Sequence, residues 1–173
     1  MGLRESVAHS LLSTHLETLP HESPIDRVGA LARATELGSA LWRYLYAGEE
    51  SAAGSVIKHL LRKAQRRTKV YKHHKDFGLL HKTCVMLLHE MKHQNCRTCG
   101  GAGEMANDKL KVVCHTCGGT GLHRYSDQER MHSLGIDSKK YVSWQAAIGA
   151  VWICLSGAEG GTGAICREQL GRA

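Results

Sequence analysis

Residues 96–103 read CRTCGGAG and residues 114–121 read CHTCGGTG. Both are C-x-x-C-x-G-x-G. Cys96, Cys99, Cys114 and Cys117 form two pairs whose spacing lets each pair wrap one ion in a tight turn. Four thiolates match a tetrahedral structural zinc site. Such a closed shell leaves no open position for a reacting water, so zinc catalysis is not expected. Gly101, Gly103, Gly119 and Gly121 free the backbone to take positive φ close behind the sulfurs. Between the halves lies MANDKLKVV, and Leu110–Val113 reads as a short strand returning to the metal. The economical expectation is two knuckles on a β-hairpin around one structural Zn2+. A redox dithiol is the weaker alternative, and without a secretion signal so is a disulfide framework. Cys84 and Cys154 sit among apolar residues and read as small buried hydrophobes. Cys166 falls in a glycine-rich tail and reads as having no specific role. His81, His89 and His93 raise the idea of a second metal; His89 and His93, one turn apart, read instead as a solvent-facing pair.

The surrounding chain is of ordinary domain size. It has 173 residues, 42% hydrophobic and 23% charged, enough to bury a core and unlike a disordered chain. No apolar run approaches the roughly 20 residues of a membrane span, and no basic-led apolar segment opens the chain as a secretory signal would. The expectation is therefore a cytoplasmic protein without a membrane partner.

Charge is concentrated. Lys+Arg exceed Asp+Glu by 23 − 16 = +7. The window Lys58–Lys82 holds nine Lys/Arg and one acid, Asp76, so it carries +8 and the rest sums to −1. Within it, Arg62, Lys63, Arg66, Arg67, Lys69 and Lys72 form a secondary basic patch. A local excess of this kind suits a polyanion, nucleic acid before membrane; a merely solvated helix face is the alternative.

The rest of the chain reads as helices. Residues 1–22 read as a flexible N-terminal arm. Ser23-Pro24 looks like a cap followed by Pro at the first helical position, and Ile25, Val28, Leu31, Ala32, Leu37, Leu41, Tyr44 and Leu45 continue at helical spacing to Gly48. A second helix, begun by Glu49-Glu50, runs to about Arg67 with Val56, Ile57, Leu60 and Leu61 inward. A third covers roughly 74–93, with Phe77, Leu79, Leu80 and Val85–Leu88 as its apolar side. These make a helical core over 23–93, followed by the zinc module at 94–123. Ser126 and Glu129 then form a capping box that opens a short helix ending at Gly135. A last helix spans about 138–156 with Tyr141, Val142, Trp144, Ala147, Ile148, Val151 and Trp152. Residues 124–157 complete the helical domain, and 158–173, opened by GAEGGTG, read as a flexible tail. The fold class is mainly α: a helical bundle with a helix-turn-helix and an inserted four-cysteine zinc β-hairpin.

Residues 127–144, DQERMHSLGIDSKKYVSW, bear on function. Met131 and Leu134 precede Gly135; Ile136, Tyr141 and Trp144 follow it at inward spacing. This is a short helix, a glycine turn and a second helix. Ser138, Lys139, Lys140 and Ser143 open that second helix away from the core, where a recognition helix carries residues for phosphates and base edges. Arg124, just after the zinc module, can reach a flanking phosphate. Arg130 stands where such motifs more often carry an apolar residue; an ordinary αα-hairpin is the alternative.

Taken together these features resemble the lambda-type Q proteins, the late-gene antiterminators of lambdoid bacteriophages. Leu3-Arg4-Glu5-Ser6-Val7-Ala8 looks like the family's opening. The Gly38-x-Ala40-Leu41-Trp42 helix, the basic second helix and the apolar third helix follow in family order. The two cysteine repeats, the Tyr125-Ser126 pair, a short helix and a Trp-bearing longer helix complete a likeness over about residues 1–157. The cysteine repeats alone also resemble the zinc module of the DnaJ co-chaperones. The Q resemblance implies a regulator and not an enzyme. It implies binding to double-stranded DNA at a late promoter, engagement of bacterial RNA polymerase near its flap and sigma, travel with the polymerase, in some cases with an elongation factor, and read-through of terminators. It implies zinc on Cys96, Cys99, Cys114 and Cys117, a recognition helix starting at 138–144, and action in the cytoplasm of a bacterial host.

Three rivals differ in what they require. A sequence-specific repressor or activator shares the DNA-binding features. A DnaJ-like peptide-binding module shares the repeats, but the chain has no His-Pro-Asp signature. An RNA-binding protein suits knuckles and basic helices, though few aromatics are available for stacking.

Overall fold

The computed structural model describes residues 32–68, 76–107 and 110–170. The sequence reading of residues 1–31 as arm and helix start therefore lies outside the described residues, as do Lys69 and Lys72 of the basic patch. The described chain is mainly helical, with one two-stranded sheet. It divides into two compact units, one containing the described residues up to Cys84 and those from Gln145 onward, the other Val85–Trp144.

In the first unit, a single helix from 23 to 48 is not what forms. Ala32 is helical, Arg33 and Ala34 turn, and Thr35 is extended. The Thr35 hydroxyl accepts from the Gly38 N–H at 3.1 Å and caps a separate helix, α1 (Glu36–Tyr46). The apolar periodicity continues across the break, which is why the spacing alone did not reveal it. Gly48, at φ +68, closes the following turn, with Arg43 paired to Glu49 at 3.4 Å. Helix α2 (Ala52–Thr68) buries Ala52, Val56, Leu60 and Ala64. Ile57 and Leu61, expected inward, flank that seam and are half-buried.

Helix α3 (Phe77–Lys92) starts where the Asp76 carboxylate accepts from Leu79 N–H at 3.0 Å. It is shared by both units. Leu79, Leu80 and Cys84 are buried in the first; Met86, Leu87, Leu88 and Met91 in the second. Phe77 and Val85, expected in the core, are 57% and 41% exposed. Phe77 is the first helical residue, and Val85 lies off the seam set by Leu80, Cys84, Leu87 and Met91.

Beyond the four-cysteine module come α4 (Asp127–Leu134) and α5 (Ser138–Leu170). Helix α5 is the largest departure from the sequence reading: it does not stop at 156, and 158–170 is helical. Interior glycines weaken a helix by about 1 kcal/mol each relative to alanine, which is why the Gly157–Gly163 stretch reads as a break. Burial offsets that cost. Ala158, Thr162 and Cys166 are buried. Trp42 Nε1 donates to the Glu159 carbonyl at 3.2 Å, and Tyr46 Oη donates to Glu159 Oε1 at 2.8 Å. A Cβ on Gly38 would collide with Thr162 Oγ1, so α1 approaches α5 closely because residue 38 has no side chain. Cys166 is thus a core residue. By length and apolar composition, Ser138–Cys166 could cross a membrane, but half of its most apolar stretch is buried within the protein, as in a core helix.

The two units also divide the chain differently from the sequence boundaries. The short helix and the start of α5 belong with the four-cysteine module, and the later part of α5 belongs with α1 and α2.

Candidate functional site

The four cysteines come together. Sγ of Cys96 lies 3.9 Å from that of Cys114, Sγ of Cys99 lies 3.8 Å from that of Cys117, and all four lie within 4.8 Å of one another. They can hold one metal ion. Among the described residues no other group of three or more His, Cys, Asp or Glu does so.

The module is built twice. Between its halves, β1 (Glu104–Asn107) pairs antiparallel with β2 (Leu110–Val113), with Glu104 opposite Val113. Shifted by 18 residues, the same pairing recurs as the Asn95–Leu122 bridge. Cys114 N–H donates to the Gly103 carbonyl at 2.8 Å, and Cys96 N–H donates to the Gly121 carbonyl at 2.7 Å. Thr98 and Thr116 meet hydroxyl to hydroxyl at 3.0 Å. The first cysteine of each knuckle therefore bonds the last glycine of the other, and the arrangement has an approximate two-fold axis.

Two glycines enforce that interlock. Gly103 (φ +75) and Gly121 (φ +71) occupy the left-handed region, where a Cβ is strained. A Cβ on Gly103 would run into the Gly119 carbonyl, and one on Gly121 into the Gly101 carbonyl. The same residues serve the sulfurs: Gly103 N–H points at Cys99 Sγ at 3.2 Å, and Gly121 N–H at Cys117 Sγ at 3.3 Å. Burial pushes the Cys117 thiol up, but the Gly121 N–H and the neighbouring Cys114 and Cys99 sulfurs outweigh it and bring it down to about 6. Donors aimed at sulfur favour the thiolate, the form a metal binds; at Cys99 burial outweighs the Gly103 N–H and keeps the thiol above its ordinary value.

The module is followed by the helix pair in the same unit. Ser126 Oγ accepts from Glu129 N–H at 3.2 Å, and the Glu129 carboxylate accepts from Ser126 N–H at 2.7 Å, completing the capping box. Those bonds hold the Glu129 carboxyl below its ordinary range. Gly135 closes α4 in the left-handed region at φ +67, its N–H donating to the Met131 and His132 carbonyls. Asp137 then caps α5 by accepting from Lys140 N–H at 2.7 Å. Tyr141 Oη donates to Asp127 at 2.7 Å, tying the start of α5 to the start of α4.

Arg130, the residue that did not suit the expected motif, has a structural partner. Its Nε and one terminal nitrogen reach the two oxygens of Glu90 on α3 at 3.0 and 2.8 Å. Glu90 is only 5% exposed. The hydrogen bonds to Glu90 raise the Arg130 pKa, so the guanidinium is fixed as a cation inside the unit. No motif could reveal this pair, because 40 residues separate its members.

Ser138, Lys139 and Arg124 are exposed. Lys140 is half-buried, with its ammonium 5.6 Å from the Trp144 ring centroid. Ser143 is exposed but its hydroxyl donates to the Lys140 carbonyl at 2.7 Å. Val142, expected in the core, is 68% exposed between Lys139 and Ser143. Tyr141, Trp144, Ala147, Ile148 and Val151, expected inward, are buried, and Leu155 extends that seam. Trp152, likewise expected inward, lies off that seam at 40% exposure.

On α2, Arg62, Lys63, Arg66 and Arg67 are all exposed. His89 and His93 are exposed neighbours, ring centroids 4.4 Å apart.

Compared with known protein families, curated proteins and solved structures, the chain matches none.

Proposed function

We propose that this protein is a phage late-gene transcription antitermination factor. In this reading it binds a DNA element at a late promoter, loads onto bacterial RNA polymerase in the host cytoplasm and lets the enzyme pass terminators. The observation that carries the DNA-binding part is the α4–Gly135–α5 pair, whose second helix opens with exposed Ser138 and Lys139. Two helices joined by a left-handed glycine are the helix-turn-helix plan, with the N-terminal end of the second helix directed to base edges. Lys139 and Lys140 are assigned to phosphates or guanine edges, Ser138 and Ser143 to secondary contacts, and Arg124 to a flanking phosphate. Exposed Val142 adds an apolar surface of the kind that meets a thymine methyl group. Arg130, committed to Glu90, has a structural task. The antitermination part is supported by the resemblance to the lambda-type Q proteins.

The metal in this reading is one structural zinc. Sulfurs ~2.3 Å from a tetrahedral ion lie about 3.8 Å apart, which the Cys96–Cys114 and Cys99–Cys117 separations suit. Zinc would cross-link the two knuckles and leave no open position for chemistry.

The DNA assignment is tested by titrating the late-promoter element at several salt concentrations. Lys139→Ala with Lys140→Ala is expected to weaken binding and lower the salt slope by about one unit for each phosphate no longer neutralised. Unchanged affinity and slope would refute the recognition-helix assignment. A footprint on DNA with terminators still obeyed would favour a plain repressor or activator.

A further inference from the structure

The four cations near the end of α2 have no evident structural task among the described residues. Arg62, Lys63, Arg66 and Arg67 are exposed, and no ion pair among the described residues involves them. Helix α2 contains no acidic residue. Like charges four residues apart, as Arg62/Arg66 and Lys63/Arg67 are, cost a helix a few tenths of a kcal/mol per pair. The helix dipole favours cations only in the last turn; it accounts for Arg66 and Arg67 there and not for Arg62 and Lys63. The dipole thus offsets the repulsion at Arg66 and Arg67, and nothing among the described residues does so for Arg62 and Lys63.

The charge density suits a duplex polyanion. From residue 62 to residue 67 a helix rises about 7.5 Å, so the four cations fall about one per 1.9 Å of axis. Duplex DNA carries one negative charge per ~1.7 Å. Three of the four are arginines, whose planar forks bind phosphate oxygens in pairs.

We propose that the C-terminal end of α2, through Arg62, Lys63, Arg66 and Arg67, is a sequence-independent binding face for the phosphate backbone of duplex DNA. It includes none of the α5 residues assigned to recognition. The choice of duplex DNA rests on the DNA-binding reading; the polyanion face itself does not. The face would hold the protein on DNA of any sequence and lengthen its search for a specific element.

The test uses the full metal-loaded chain and a fluorescent 25-base-pair duplex of arbitrary sequence, titrated at several concentrations of salt. Replacing all four cations by glutamine is expected to reduce the log–log salt slope by about 3.6 units, at about 0.9 per neutralised phosphate. Arg66→Gln with Arg67→Gln, a milder variant should the first misfold, is expected to remove about 1.8. An unchanged slope in a folded variant overturns the proposal. So does tighter binding of a polyglutamate peptide or an RNA hairpin than of the duplex at equal salt. Lys139→Ala with Lys140→Ala separates the two ideas. If it alone weakens the arbitrary duplex, the α2 face is refuted and the recognition helix survives. If the α2 variant alone weakens it and the late-promoter element shows no preference over arbitrary DNA, the α2 face stands and the recognition helix falls.

Discussion

Gly121→Ala is the sharpest probe of the four-cysteine module. Two costs add there. An alanine at φ +71 sits in the left-handed region, which costs about 1–2 kcal/mol. Its Cβ also meets the Gly101 carbonyl, a backbone atom that cannot swing aside; overpacking of this kind costs about 1–3 kcal/mol. The sum, about 2–5 kcal/mol, appears in metal affinity because folding and binding of such modules are coupled. At about 1.4 kcal/mol per tenfold, the affinity for added Zn2+, the metal proposed, measured by competition with a chromophoric chelator, should weaken roughly 30- to 4,000-fold. Gly118→Ala is the control. Its φ is +60, but nothing lies within 4 Å of the added carbon. Only the conformational cost applies, a loss of about 5- to 30-fold. Gly103→Ala, related to Gly121 by the approximate two-fold axis and facing the Gly119 carbonyl, should behave like Gly121→Ala. Equal losses at Gly118 and Gly121 would refute the claim that backbone contact between the knuckles is what requires glycine.

Other consequences can be checked separately. Arg130→Met strips Glu90 of its partner in a buried setting and should cost about 3–5 kcal/mol, read as faster hydrogen exchange in α4; adding Glu90→Leu should restore much of it, and no recovery would contradict the pairing. Gly38→Ala should destabilise the first unit by about 1–3 kcal/mol in thermal unfolding, and Thr162→Ala should relieve part of that loss. Glu129, held below its ordinary range by Ser126, favours the folded state as a carboxylate. Its contribution is present above the unfolded value of about 4.3 and is lost as pH falls through the lower folded value. An NMR titration should place the Glu129 midpoint below about 4.3, and a midpoint at or above it would count against the capping box. A Cys114→Ser chain should lose bound metal and local structure at residues 94–123, whereas full metal content would contradict the ligand set.

What was legible in the sequence was local. Cys96, Cys99, Cys114 and Cys117 announce their cluster by spacing, because each pair closes within one turn. Ser126, Glu129 and Gly135 announce the bounds of α4, because caps are short-range chemistry. What was not legible depends on residues far apart in the chain. The glycines at 157–163 argue for a break, and only packing of Trp42, Tyr46 and Gly38 on the 158–162 stretch keeps the helix intact. Arg130 looks like a flaw in the motif until Glu90 is seen beneath it. Val85, Val142 and Trp152 are apolar enough for a core, yet their helical phase turns them off the buried seams, and Phe77 is exposed because it opens its helix. Thr35 carries a short-range signal of its own, since a Thr-Glu step inside an apolar period is also a helix start.

The central claim concerns the elongating polymerase. The direct measurement is single-round transcription by purified bacterial RNA polymerase from a lambdoid late promoter through an intrinsic terminator. The metal-loaded protein is added before elongation begins or only afterwards. Read-through that requires early, promoter-proximal addition is the expected result. Terminators obeyed equally in both cases, with the protein folded and bound to the promoter DNA, would contradict it.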